Sequence, residues 1–468
     1  MSSGRAGLAW GGACLLVVAL ALVLRLAYLD ATPGHVLQYD EHDYDGHAVS
    51  IAAGHGFSDT LAHGRPTAFR PPGYPYLLAG VYRVAGVDRA AVAERVRVAR
   101  VAQAVIGTLA VALIGLLAAQ LWGRTEGLTA MALGAVYVPL ITVGGAVMSE
   151  PLFVVLALAA LCAAVQHRRS AHRWRWLVLA GALGGLAVLT RANGMVLLPA
   201  LALAVWGGSE RARGHAPGRF TRTALVPPAL LVAIALVVVS PWTIRNAVVL
   251  HSFVPVSTQL GSALAGTYND QARGDRGAWR SIRHVPAFAQ LWRRVATTPE
   301  PEVERELRAA SLHYIRRHPA YVAEVGFWNT VRLLDLAGLK RSRATAATIG
   351  IDERWADAGV TCFWLFAALA LGGALTARAR RTPLFVWAVP ALLTLSVVFL
   401  VVETPRYRTA VDPFVVLLAA LPVSAAARRL ATHRRRTVHH APASAQIPQG
   451  TQLDDPTATP LNRSVPVD

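Results

Sequence analysis

The sequence predicts an all-α polytopic membrane protein: about ten transmembrane helices, with amphipathic helices in its first and its long outer loops. Three observations carry this. Of 468 residues, 54% are hydrophobic and only 16% charged, with mean hydropathy +0.41, whereas a soluble chain carries nearer a quarter charged residues. Apolar runs of about 20 residues recur, the length a helix needs to cross a bilayer. Arginines fall in alternate short loops, as positively charged cytoplasmic loops require. The net charge of +19 would otherwise point to nucleic acid, but that needs a basic face on a soluble domain. Lys340 is the one lysine, so the positive charge is almost all arginine, which stays ionised and grips phosphate bidentately. Cys14, Cys162 and Cys362 lie in apolar runs and read as small fillers, with no disulfide framework or metal pair.

Ten stretches qualify as spans: 8–29, 98–120, 127–147, 149–166, 175–190, 194–207, 223–240, 359–376, 384–402 and 409–427. The first resembles a signal peptide but is too long and has no small-residue cleavage site before Tyr28-Leu29-Asp30, so it reads as a retained anchor. Stretches 175–190 and 194–207 are short, and one buried hairpin is the alternative to two spans. With the N-terminus inside, the inside loops hold Arg124; Arg168, Arg169, Arg173 and Arg175; Arg211, Arg213, Arg219 and Arg222; Arg378, Arg380 and Arg381. The tail adds Arg428, Arg429 and Arg434 to Arg436. Residues 73–87, interrupted by Arg83, read as a helix on the outer membrane surface, because a span there would reverse every later loop.

This divides the chain into an N-terminal membrane region, 1–240, with an outer loop at 30–74; an outer helical segment, 241–357; C-terminal spans, 358–427; and a tail, 428–468. In the outer segment, Thr298-Pro299-Glu300 reads as a cap and helix start, followed by apolar positions Val303, Leu307, Ala310 and Tyr314. A second amphipathic run, 318–336, presents Tyr321, Val325, Trp328 and Val331. Residues 437–468, rich in Pro, Thr, Ser and Ala, are expected to be disordered, and the triplet at Asn462 is no credible glycosylation site on the cytoplasmic side.

The outer loops hold the candidate chemistry. Asp40, Glu41, Asp43 and Asp45 crowd into six positions, an arrangement like charges oppose unless something offsets it. The bland alternative is a solvated acidic stretch. Arg70-Pro71-Pro72-Gly73-Tyr74-Pro75 then returns the chain toward the membrane with a guanidinium and two rings. Asp43 and Asp45 form a DxD flanked by His42 and His47, candidates for a divalent ion; no cofactor is otherwise indicated. The remaining outer turns carry Glu150, Arg191, Arg245, Arg406 and Arg408. Arginines at span ends often only snorkel to headgroups, but these lie on the face where the topology rule does not put them. A carboxylate able to accept a hydroxyl proton, beside arginines able to hold a phosphate leaving group, fits transfer from a phosphorylated lipid carrier.

Several motifs together resemble the GT-C membrane glycosyltransferases, in the family 39-like branch that includes protein O-mannosyltransferases and the bacterial transferases adding aminoarabinose to lipid A. They are Tyr39-Asp40-Glu41 with Tyr44, Ala48 and Gly54; Phe69-Arg70-Pro71-Pro72-Gly73-Tyr74-Pro75; Ser149-Glu150-Pro151-Leu152-Phe153; Leu189-Thr190-Arg191; Pro241-Trp242-Thr243-Ile244-Arg245-Asn246; and Arg406-Tyr407-Arg408 before Pro413. The resemblance implies inverting transfer of a sugar from a polyprenyl-phosphate donor to a hydroxyl on a glycan, lipid or protein acceptor, with no nucleic acid involved. The spans and the arginine distribution predict a multi-pass plasma (inner) membrane location with the site on the extracytoplasmic face. Carried over by motif, Asp40 is the general base, Glu41 its neighbour, and Arg70 a contact to the donor phosphate. Glu150, Arg191, Arg245, Arg406, Arg408 and Tyr74 complete the substrate-binding set. The histidine-rich continuation His42 to His47 departs from the pattern and leaves a metal open. The competing readings are a transporter or lipid flippase, which needs ionisable residues at mid-membrane depth, and a non-catalytic scaffold.

Overall fold

The computed structural model describes residues 2–59, 64–206, 222–402 and 404–439. Within them the chain is helical, apart from a short antiparallel pair joining Ser58–Asp59 to Arg65–Pro66. Six described helices are long and apolar enough to cross a membrane: Gly7–Ala31, Val92–Trp122, Glu150–His167, Ala224–Val249, Glu353–Ala374 and Asp412–Leu430. The other four expected stretches are also helical but differ in length. Stretch 127–147 is two helices, Arg124–Val136 and Val138–Val143, broken at Tyr137 because Pro139 cannot donate into the preceding turn. Stretch 175–190 is the 18-residue helix Arg173–Thr190. Stretch 194–207 becomes a 3-10 turn, Ala192–Val196, followed by the nine-residue helix Leu197–Val205, and 384–402 becomes the 15-residue helix Leu384–Val398.

Small residues let these helices approach without an aqueous driving force between them. A Cβ on Gly127 would stand 2.9 Å from the Gly115 carbonyl, so Val92–Trp122 and Arg124–Val136 touch backbone to backbone there. Gly181 and Gly185 meet the Leu231 and Ala235 carbonyls at 2.8 Å in the same sense. The main core includes Ile114, Leu117, Phe153, Leu158, Leu201 and Phe414. The first helix packs Ala21, with Cys14, Val17 and Val18, against Val111, Met131 and Ala135.

Two expectations are corrected. The turn at Ser240 to Asn246, and with it the boundary at residue 240, lies inside one continuous helix, Arg222–Val249. Pro241 cannot bond the Val237 carbonyl, but the Ser240 hydroxyl donates to it at 2.9 Å, which lets the helix run on. Thr298 is not the cap of Glu300–Arg317: Pro299 occupies that position, and the Thr298 hydroxyl donates back to the Arg294 carbonyl at 2.9 Å.

The first loop contains a helix, Asp40–Ala52, packed on Gly73–Ala85, which at 13 residues is too short to span. Glu300 ties the long segment to this loop, accepting from the Ala68 amide at 3.0 Å, from the Thr258 hydroxyl at 2.5 Å and from the Thr67 hydroxyl. The expected helices follow as Glu300–Arg317 and Pro319–Leu333. A second unit, from Ala425, is described to His439 and is helical there. Arg211, Arg213, Arg219, His63, Glu403, Asn462 and the expected disorder beyond His439 lie outside the described residues.

Candidate active site

Glu41 sets the geometry of the first loop. Its buried carboxylate accepts from His35 Nε2 at 2.9 Å, from the Gln38 amide at 2.8 Å and from the Val147 amide at 2.7 Å. Tyr39, held at φ +34°, turns the chain into the helix directly before Asp40. Glu41 therefore anchors the helix to the turn preceding Met148 and stands apart from the cluster that Asp40 enters.

Asp40 receives two guanidinium groups. Arg70 reaches Oδ1 through Nη2 at 2.6 Å and Oδ2 through Nη1 at 3.1 Å, and Arg406 Nη2 meets the same Oδ2 at 2.6 Å. Arg70 also donates to Asp43 Oδ2, at 2.6 Å from Nη2 and 3.0 Å from Nε. Arg406 donates Nε to Glu150 at 2.6 Å, and Arg191 meets the same Glu150 oxygen at 2.5 Å. Burial alone would raise the Asp40 carboxyl, but Arg406 and Arg70 outweigh it and hold the group well below the usual carboxylate range. The same pairing outweighs burial at Arg70 and Arg406 and keeps both firmly ionised.

Aromatic side chains support the cluster. The Arg70 guanidinium lies 5.0 Å from the Phe69 ring and 5.5 Å from the Tyr44 ring, and Tyr44 meets Tyr74 edge-on at 5.0 Å. Tyr44 and Ser149 share a hydrogen bond of 3.0 Å. The Tyr74 hydroxyl is buried without a partner among the described residues, and burial pushes its pKa up. Gly73 makes the proline return possible: a Cβ there would stand 2.7 Å from the Thr190 hydroxyl and 3.0 Å from the Leu189 carbonyl.

Tyr44, Arg70, Arg191 and Arg406 line a cavity of about 710 Å³. Met195, Phe253, Leu260, Val397 and Leu400 add apolar wall, and Glu304 and Arg308 line it too. A lining that combines guanidinium groups with hydrocarbon suits a phosphate attached to a lipid chain.

Two predicted arginines lie elsewhere. Arg245 donates to the Thr67 and Phe57 carbonyls, each at 2.7 Å, and so braces the first loop. Arg408 pairs with Asp335 and, at 3.1 Å, with Asp412, while its guanidinium sits 3.6 Å from the Phe363 ring. Asp335 and Asp412 had no motif around them in the sequence, and only tertiary packing shows them.

The DxD does not form a metal site. Helical residues two apart point to different faces, so Asp43 goes to Arg70 while Asp45 accepts from Arg95 at 2.6 Å and from the Tyr82 hydroxyl at 2.8 Å. His47 Nδ1 donates to the Ser58 carbonyl at 2.8 Å and its ring stacks on Phe57, while His42 is exposed. Among the described residues no three His, Cys, Asp or Glu converge as ligands. Asp45 and Arg95 instead join the first loop to the start of Val92–Trp122, a pairing that the spacing of the acids left invisible.

Residues 69–244 match the family described as dolichyl-phosphate-mannose-protein mannosyltransferase. No curated protein matches the chain. Among solved structures, the archaeal oligosaccharyltransferase AglB of Archaeoglobus fulgidus, determined with an inhibitory peptide and a dolichol-phosphate, is similar at TM-score 0.51 and 15% identity, over 93% of this chain and 52% of AglB. A crystal structure of the same organism's oligosaccharyltransferase with Zn and sulfate gives 0.52 and 15%, over 92% and 51%. The chain thus spans about half the length of these relatives. ArnT from Cupriavidus metallidurans, bound to undecaprenyl phosphate, is similar at TM-score 0.42 and 16% identity over 87% of this chain and 76% of ArnT. The likeness to the archaeal oligosaccharyltransferase shows that this chain shares its helical membrane fold, and residues 69–244 match the mannosyltransferase family.

Proposed function

We propose that this protein transfers a sugar from a polyprenyl-phosphate donor to a hydroxyl-bearing glycan, lipid or protein acceptor, with inversion at the anomeric carbon. The observation that carries the reading is the position of Asp40 between Arg70 and Arg406, both of which line a cavity that also has apolar wall. The donor phosphate engages Arg70 and Arg406, with Arg191 beside them, while the lipid chain follows the apolar wall. Asp40, relieved of part of its pairing, takes the proton of the acceptor hydroxyl. The acceptor oxygen bonds to the anomeric carbon as the bond from that carbon to the phosphate oxygen breaks. The pair of electrons leaves with the polyprenyl phosphate, whose growing negative charge the guanidinium groups offset. Glu41, Arg245 and Arg408 hold the loops that present these groups.

The family match over residues 69–244, described by a lipid-phosphate sugar donor, supports this reading, as does the likeness in fold to a protein solved with dolichol-phosphate. The site is assigned to the extracytoplasmic face of the plasma (inner) membrane, on the strength of the arginine distribution in the opposite loops. Transfer of labelled sugar from a polyprenyl-phosphate donor, measured in membranes with and without the protein, tests the assignment. Mass spectrometry of envelope glycans with and without the gene identifies sugar and acceptor. No change in any lipid, glycan or protein glycosylation would defeat the reading.

A further inference from the structure

The helix Glu150–His167 begins in the Asp40 cluster and is 18 residues long, about 27 Å at 1.5 Å per residue. At that far end lies a second cavity, of about 440 Å³, whose lining includes Arg168, Arg169, Arg378 and Arg381. We propose that it binds the phosphate-bearing headgroup of an anionic phospholipid.

The argument rests on convergence. A positive-inside loop needs arginines near span ends, but it does not need them to face one concavity. Here two chain segments, one following His167 and one forming the helix Ala377–Arg381, bring four arginines to the same cavity, and no carboxylate lines it among the described residues. Like charges so gathered repel unless an anion offsets them. Arg168 donates to the Ala204 carbonyl at 2.8 Å and Arg378 pairs with Glu126. Arg169 and Arg381 are exposed and make no side-chain hydrogen bond or ion pair among the described residues. They are the two donors left for a ligand, and guanidinium matches phosphate bidentately.

The surroundings favour a lipid over a soluble phosphate. Leu121, Val165, Pro383 and Phe385 make the rest of the wall apolar. Trp122, a residue type common at membrane interfaces, is fixed there by donating Nε1 to the Thr382 hydroxyl at 2.9 Å. Leu384, next to the lining residue Pro383, is 73% exposed on the bundle's outside, which places hydrocarbon beside the headgroup. Basic pockets at the ends of membrane helices take anionic headgroups for these reasons.

The test uses the purified full chain in detergent with phosphatidylglycerol, phosphatidylcholine or inorganic phosphate, read by native mass spectrometry and by thermal unfolding. Phosphatidylglycerol is expected to be retained and to raise the melting temperature; phosphatidylcholine and inorganic phosphate are not. Arg169→Gln with Arg381→Gln should lower phosphatidylglycerol retention by roughly tenfold or more, and Arg169→Lys with Arg381→Lys should recover most of it. Arg70→Ala should leave retention unchanged, which separates this site from the proposed donor-phosphate site. Equal retention by the double Gln variant would overturn the site. A response to inorganic phosphate as large as that to phosphatidylglycerol would overturn the lipid assignment.

Discussion

Asp40 and Glu150 share one guanidinium: Arg406 gives Nη2 to Asp40 and Nε to Glu150, both at 2.6 Å. The first loop, the start of the helix Glu150–His167 and the turn before Asp412 thus meet at a single side chain. Its two carboxylates are linked through it, so a change at either alters what the other experiences.

Asp40→Asn should reduce sugar transfer by roughly 10² to 10⁴ while the protein stays inserted and folded, because the amide cannot accept the acceptor's proton. Transfer assays in membranes with matched protein amounts check this. Wild-type rates would remove Asp40 from the chemistry.

The stability link between Asp40 and pH has a definite sign. Its folded carboxyl lies below the ordinary 3.8, so its stabilisation is present above the unfolded value and is lost as pH falls through the folded one. The melting-temperature gap between the wild type and Asp40→Asn should therefore hold from pH 8 down to about 4 and shrink only below that. A gap already closed at pH 6 would mean that the arginines do not hold this carboxylate.

Glu150→Gln leaves Arg406 and Arg191 short of a buried charge partner and should cost about 3 kcal/mol, the scale for breaking a buried pair. Combined with Asp40→Asn, the two losses should not add, because both act on Arg406. Thermal or denaturant unfolding of the single and double variants measures the coupling. Simple additivity would show that Arg406 does not link them.

Arg70→Ala should raise the KM for the lipid-linked donor more than it changes the KM for the acceptor. It should also shift the acidic limb of the pH-rate profile upward, since Asp40 loses one of two cations that depress it. An unchanged donor KM together with an unmoved limb would place the phosphate elsewhere.

Gly73→Ala tests the close approach that positions Arg70. Its Cβ would meet the Thr190 hydroxyl and the Leu189 carbonyl, and overpacking of this kind costs about 1 to 3 kcal/mol. The expected outcome is a lower melting temperature with reduced transfer, although Gly73 makes no contact with a charged group. Unaltered stability and rate would mean that the return loop is free to move.

The membrane architecture was legible in composition because crossing a bilayer demands long apolar runs whatever their partners, and loop arginines report topology through a rule that acts on local charge. Glu150, Arg191 and Arg406 were visible because charged residues at span ends stand out against apolar sequence, Asp40 because acids crowd around it, and Arg70 because it opens the proline-rich return. Their pairing was not. Arg406, Arg245 and Arg408 look alike as outer-turn arginines, yet one bridges Asp40 and Glu150, one braces loop carbonyls and one pairs with Asp335 and Asp412. Likewise the DxD reads as a ligand pair along the chain until a helix turns Asp43 and Asp45 to different faces. Residue type and spacing along the chain are local properties. Which guanidinium a carboxylate meets depends on how distant segments pack, and that is set by small-residue contacts such as Gly73 on Leu189 and Gly127 on Gly115.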